Sequence, residues 1–357
     1  MCRLAVVLGV GVGMGGCGQP TPGPDVRQRH TAPAPREASP RSNPPRERID
    51  VHVHHVADSV DNIVALMDEQ GIDRAVILAS PQLEHRRRSP EEVRPRGPTL
   101  EGWRETNDAV IAAAASEVAN GRLIAFVTLD LADFDVAELE GWLRRGACGV
   151  KLYDGMAAMH RRPLTDPAYT PAFAELATRG LPLLLHVNSS RFGDELRALV
   201  KRHPQLNLVC PHLCSSRTNL DNLEALMIAM PRLRVDLSHG PGEPGIAGFT
   251  NLEGEVQRER LRAMILAEPE RFLFGSDVVA SHSATLNPDL GRQLRANLGL
   301  IEDERFEFWK SKRAGDGIGY AMGEYRGLAL PEEVLRQVEG ENARAWLGSC
   351  IDAGPGD

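Results

Sequence analysis

A chain of 357 residues that is 42% hydrophobic, 25% charged and only 5% aromatic has ordinary globular composition and enough apolar sequence for a sizeable core. Its formal net charge of -8 excludes a basic, phosphate-tracking surface, so nucleic acid is not an expected partner and a small-molecule substrate is. Six cysteines, Cys2, Cys17, Cys148, Cys210, Cys214 and Cys350, show no CxxC spacing; no zinc ribbon is encoded, and Cys210 and Cys214, which flank His212, are expected as buried packing groups.

Residues 1–16 carry one early basic residue, Arg3, then an apolar run, then Met14-Gly15-Gly16 before Cys17. The run is too short to span a bilayer, and its form is that of a bacterial export signal. Small residues before a cysteine resemble the lipobox of bacterial lipoproteins, with Met14 where Leu is usual. The expectation is a lipid anchor on Cys17, placing the protein in the bacterial cell envelope as a periplasmic or outer-membrane lipoprotein. Membrane contact is then expected through that anchor alone. Residues 17–47 hold eight prolines among Arg, Ser and Thr with almost no large apolar side chain, which reads as a disordered tether.

From residue 48 the chain alternates β-branched or Leu-rich runs with amphipathic helical patterns. Strand one is Ile49-Asp50-Val51-His52-Val53-His54, whose alternation puts Asp50, His52 and His54 on one face and Ile49, Val51 and Val53 on the other. A helix over 59–70 stops at Gly71, and strand two covers 74–79. A polar insert over 82–105, with Arg86-Arg87-Arg88, reads as a solvated loop. Then follow a helix over 106–119, a strand over 123–129, a helix over 136–145 and a strand over 149–153. The second half repeats the scheme with strands at 181–187, 207–210, 233–237 and 271–277 and helices between them. Eight βα units without a Gly-rich dinucleotide loop predict an α/β fold of the (β/α)8 TIM-barrel type over 48–349, with 350–357 as a tail. A Pro-started helix pair after 331 is expected to complete the outer ring. Phe306, Phe308, Trp309, Tyr320 and Tyr325 concentrate a sparse aromatic supply in 301–326, a candidate roof for the pocket or a candidate homo-oligomer contact.

In such a barrel chemistry sits where strands end and loops begin. His52 and His54 end strand one, Lys151 lies near the end of strand four, His186 ends strand five, His212 follows strand six and Asp277 ends strand eight. Neutral imidazole and carboxylate are the ligands that zinc and related divalent ions take in catalytic sites. Arg191 and Arg217, each just past a strand-end histidine, are candidates for binding an acidic substrate.

In this order and at these strand positions, Ile49 through His54, Gly149-Val150-Lys151-Leu152, the strand ending in His186, His203-Pro204 with Pro211-His212-Leu213, and Leu273-Phe274-Gly275-Ser276-Asp277 resemble the amidohydrolase superfamily. The likeness is to its amidohydrolase 2 branch and covers about residues 48–348. It implies a metal-dependent hydrolase of the same barrel type. One divalent ion, zinc by preference, would be held by His52, His54, His186 and Asp277, and His212 would touch substrate as an electrophilic or acid-base group. Asp277 would also relay a proton. Metal-activated water attacking an amide, ester or lactone is the implied reaction. The branch also contains non-oxidative decarboxylases of carboxylated aromatic or unsaturated acids, which keeps that chemistry open, and a catalytically dead, surface-tethered binding module is the remaining alternative. In two-metal branches a carboxylated strand-four lysine bridges the ions; in the one-metal branch Lys151 instead faces substrate or pairs with an acid such as Asp50. Tyr153-Asp154-Gly155 after strand four and Cys214-Ser215-Ser216-Arg217 after His212 depart from the family's pattern in the substrate pocket.

Overall fold

The computed structural model of the chain describes residues 46–83, 100–239, 249, 254–280, 288–314 and 317–351. The expected leader, Cys17, most of the tether, Arg86 to Arg88 and the last six residues lie outside the described residues. No helix among the described residues is long and apolar enough to cross a membrane.

The strands β1 (Ile49–His54), β2 (Arg74–Leu78), β3 (Leu123–Val127), β4 (Ala147–Gly155), β5 (Pro182–Val187), β6 (Asn207–Cys210), β7 (Arg234–Asp236) and β8 (Phe272–Leu273) pair in parallel, each with its neighbour in sequence. The eighth run is split: β8 pairs with β7, and after a four-residue break β9 (Val278–Val279) pairs with β1. Across the break Val51 N–H donates to Phe274 O at 3.1 Å and Asp277 N–H to His52 O at 2.8 Å, so the barrel closes. Around it lie α1 (Val60–Gln70), α2 (Trp103–Ala114), α3 (Val136–Arg144), α4 (Thr170–Arg179), α5 (Ser189–Arg202), α6 (Leu220–Ala229), α7 (Glu255–Ala267) and α8 (Pro288–Glu302). Gly71 ends α1 at φ 67° with its N–H on Met67 O, a left-handed stop that residues with a Cβ adopt poorly.

The faces of β1 differ from simple alternation. The register with β2 shifts between Asp50 and Val53, a bulge that reverses the pleat. Ile49 and Val51 belong to the apolar cluster inside the barrel, whereas Val53 packs in the outer layer and Asp50 borders the small hollow shared with Val53, Ile63 and Leu66. His52 and His54 face inward; Asp50 does not join them. Its Oδ1 accepts the backbone N–H groups of His52 and Ser276, each at 3.0 Å, and so satisfies donors that the bulge and the split strand leave without ladder partners. The expected pairing of Lys151 with Asp50 is therefore replaced: the acids near Lys151 are Asp236 and Asp277.

The C-terminal helices also depart from expectation. After α9 (Glu332–Arg336) a π turn (Gln337–Glu341) leads into α10 (Asn342–Leu347). Ala343, Trp346, Leu347 and Ile351 join the barrel-interior cluster with Val76, Phe126, Leu184 and Val209, so this segment plugs the end of the barrel opposite the strand-end histidines. A helical period looks the same whether its apolar face covers a sheet or fills a barrel mouth. Trp346 Nε1–H donates to Asn207 O at 3.0 Å, at the start of β6, and a disulfide joins Cys350 to Cys148 in β4. A second disulfide joins Cys210 and Cys214, so the expectation of these two as buried packing groups is corrected to a bonded pair.

The aromatic segment is an antiparallel hairpin, β10 (Arg305–Ala314) with β11 (Gly317–Arg326). At its base Phe306 and Phe308 set their rings 4.9 and 5.1 Å from Phe249, which stacks on His239 just past β7.

Candidate functional site

The inward side chains at the C-terminal ends of the strands converge. His52 Nε2 lies 3.3 Å from His54 Nε2, and Asp277 Oδ1 is 3.3 Å from the first and 3.1 Å from the second. The opposite ring nitrogens are engaged. His52 Nδ1 is 2.8 Å from Asp236 Oδ2, which as a carboxylate can only accept, so the proton sits on Nδ1. His54 Nδ1 is 2.7 Å from Ser80 Oγ, whose own proton goes to Leu78 O at 2.9 Å, so His54 also donates from Nδ1. Both Nε2 atoms then carry lone pairs. Two lone pairs and a carboxylate oxygen, all within 3.3 Å and without a proton between them, repel one another unless a cation lies among them. This donor set fits a divalent metal ion, with each histidine held by an acceptor behind it.

Burial reinforces that reading. It pushes His54 down to about 4, against the pull of Asp277, and holds the imidazole neutral as a ligand must be. Asp277 turns inward through a left-handed backbone, φ 57°, a conformation that Asp tolerates better than most residues. Gly275 makes room behind it: a Cβ there would stand 3.1 Å from His52 Cβ and 3.2 Å from Asp236 Cγ.

His212 approaches from β6. After Pro211 four residues, His212 to Ser215, hold φ between 54° and 58°, a left-handed turn that L-residues rarely string together. The Cys210–Cys214 disulfide spans it, and Ser189 Oγ donates to Cys214 O at 2.5 Å. Asp236 Oδ1 accepts His212 N–H at 2.9 Å and the Ser238 hydroxyl at 2.5 Å. With its one proton spent on Asp236, Ser238 Oγ can only accept from His212 Nδ1, 2.8 Å away. His212 Nε2 keeps its lone pair, 3.9 Å from Asp277 Oδ2. Burial lowers His212 to about 3, against Asp277, so the imidazole is neutral.

The remaining expected residues divide. His186 stands beside His212, ring centres 5.0 Å apart, within electrostatic reach of Lys151, Asp277 and His52 but outside the close contacts of the trio. Lys151 is wholly buried, with Nζ 3.4 Å from His52 Nε2, and burial lowers it to about 8 although Asp236 and Asp277 pull the other way. Arg217 is mostly buried, within electrostatic reach of Asp277 and Asp236. Arg191 is not brought in: it is exposed at the start of α5, over the Phe192 ring. Asp236 was missed by the sequence reading, although its signal is the one that reveals Asp277, an apolar run ending in a carboxylate at a strand end. His52, His212 and Asp236 also cluster closely enough to be considered as ligands. The proton on His52 Nδ1 and the four donors on Asp236 make that group a hydrogen-bonded support for the first.

The sequence model described as Amidohydrolase matches residues 49–349. No curated protein matches the chain. Among solved structures, an amidohydrolase from Burkholderia multivorans with bound zinc is 15% identical, with a TM-score of 0.52 over 84% of this chain and 99% of that one. A dihydroorotase from Campylobacter jejuni is 16% identical, with a TM-score of 0.48 over 84% and 82%. An amidohydrolase 2 from Bifidobacterium longum subsp. infantis is 14% identical, with a TM-score of 0.46 over 85% and 99%. The Burkholderia likeness bears on the fold. The family match runs from the first strand to the barrel plug and takes in every residue of the convergent site, and on it the chain belongs to the amidohydrolase family of metal-dependent hydrolases.

Proposed function

We propose that the protein hydrolyses an amide, ester or lactone of a small molecule with one zinc ion held by His52, His54, Asp277 and His186. The observation that carries this is the meeting of three proton-free acceptor atoms within 3.3 Å beside the unprotonated His212 Nε2. A bound divalent ion would polarise the reacting carbonyl and bring the pKa of a coordinated water to about 7. The chain's own residues do the rest. Asp277 Oδ2, on the His212 side, takes the proton of the attacking water, and His212 passes it to the leaving nitrogen or oxygen. Lys151, whose ammonium lies near His52, holds the oxyanion that forms on the carbonyl in this reading.

The further expectation of export and a lipid anchor on Cys17 is part of this proposal. It is supported by the two disulfides, which persist in oxidising compartments. Fatty-acid labelling of wild type but not of Cys17→Ala tests the anchor.

The catalytic reading is tested by metal analysis and a substrate panel on wild type, His52→Ala and His212→Asn. One zinc per chain in wild type, little in His52→Ala, and full metal with kcat down about 10²- to 10⁴-fold in His212→Asn are expected. Release of carbon dioxide from an unsaturated or aromatic acid would make the enzyme a decarboxylase instead. Loss of metal from His212→Asn would make His212 a ligand.

A further inference from the structure

Buried guanidinium groups in this protein are supplied with acceptors. Arg271 donates to the carbonyls of Leu233, Met227 and Met230 and pairs with Glu268, and Arg46 lies among Glu302, Glu332 and Glu339. Arg217 breaks this pattern. Its Nη1 is completely enclosed, yet it has no hydrogen-bond partner, and no carboxylate stands within ion-pair distance of the group among the described residues.

The surroundings show which wall Arg217 occupies. Its charge is favoured by Asp277 and Asp236, and it in turn disfavours protonation of His212 and His239. These four side chains follow strands β6, β7 and β8, so Arg217 lies on the same side of the cavity as His212. Neither acid serves it. Asp236 already accepts from His52, His212 and Ser238, and Asp277 turns Oδ1 to His52 and His54 and Oδ2 to the His212 side, with no ion pair to Arg217. His239 Nε2, on the same wall, is likewise buried without a partner. A guanidinium N–H enclosed away from water and given no acceptor is unfavourable unless a ligand supplies one.

We infer that Arg217 is the recognition site for a carboxylate on the substrate, so that the molecule hydrolysed carries an acid group beside its scissile amide, ester or lactone. This rests on the hydrolase reading and narrows its substrate class. A planar carboxylate matches the guanidinium fork. A single negative charge balances the one cation, whereas a phosphate dianion would meet added repulsion from Asp236 and Asp277.

Binding tests the inference independently of turnover. Phenylacetate, phenylacetamide and inorganic phosphate are titrated by calorimetry into zinc-loaded and metal-stripped protein, so that direct coordination of the carboxylate to zinc is separated from Arg217. Phenylacetate is expected to bind the stripped protein at least about ten-fold more tightly than phenylacetamide, the ratio set by one charge-assisted contact. Arg217→Gln should abolish that preference and Arg217→Lys should keep part of it. Because Gln removes an uncompensated buried charge, the ligand-free melting temperature of Arg217→Gln should rise, whereas loss of a merely structural arginine would lower it. Equal binding of acid and amide, unchanged acid binding in Arg217→Gln, or tighter binding of phosphate overturns the assignment. Acid-selective binding through Arg217 with no hydrolysis of any acid-bearing amide, ester or lactone would leave the subsite standing and sink the hydrolase reading alone.

Discussion

His52 Nδ1–H donates to Asp236 Oδ2 at 2.8 Å, and neither side chain is exposed to solvent. Through this bond the end of β7 decides which nitrogen of a β1 histidine is available to the metal. Asp236→Asn cannot serve His52 on one side and His212 and Ser238 on the other with acceptors alone. Zinc affinity is expected to fall about 10- to 100-fold, the usual effect of losing the acceptor behind a ligand histidine. Competition against a chelator measures it; wild-type affinity in this variant would show that the contact does not set the tautomer.

Gly275 allows that pair to form, because an added Cβ would press on both members at 3.1 and 3.2 Å. Gly275→Ala is expected to lower stability by about 1–3 kcal/mol through overpacking and to reduce zinc occupancy with it. Urea unfolding and metal content on the same preparation check both. Full occupancy would show that the neighbouring strands yield without disturbing His52.

How far this site was legible in the sequence follows from what each residue depends on. His54, His186, Lys151 and Asp277 stand out in the sequence because an apolar strand ending in a polar residue marks the open end of a barrel, whatever the partner strands do. Asp50 was placed on the wrong face because a bulge arises between two strands and leaves no trace in one of them. The left-handed turn at His212 was equally hidden, since nothing in Pro-His-Leu-Cys-Ser favours positive φ. The hairpin was legible in principle from the alternation of Phe306 and Phe308 with charged neighbours. The barrel plug was not, as the same amphipathic pattern serves either end of the fold.

The Cys210–Cys214 disulfide spans a turn whose left-handed residues each disfavour that conformation by about 1–2 kcal/mol. Cys214→Ser frees the turn to relax and carries His212 away from Asp277. The expected outcome is kcat reduced about 10- to 100-fold, less than for losing the acid-base group outright because His212 is displaced and not removed, with zinc content unchanged. Mild reductant should do the same to wild type and nothing further to the variant. Unaltered kcat would assign the turn to Asp236 and Ser189 alone.

At the closed end of the barrel Glu339 accepts from Arg48 and is ion-paired with Arg46, and burial, then the neighbouring Glu302, push its carboxyl up to about 7. In the unfolded chain this proton leaves near the ordinary glutamate value, so between there and about pH 7 the folded state binds more protons. Stability from this group therefore falls as pH rises through that window and is fully lost above it. Glu339→Gln does not titrate. The urea midpoint of the variant should gain on wild type from pH 4.5 to pH 8, and a gap that stays flat across that range would contradict the assignment.

The plug ties synthesis order to folding order. Trp346, Leu347 and Ile351 share the innermost cluster with Ile49 and Val51, and the Cys148–Cys350 bond joins residues separated by 202 positions. Contacts this distant in sequence form late and slowly. Until residue 351 has emerged, the mouth at the starts of β1 and β6 admits water to the interior, and strands already made have no dry centre to condense on. The barrel interior can therefore seal only after residues 343–351 have been made and packed.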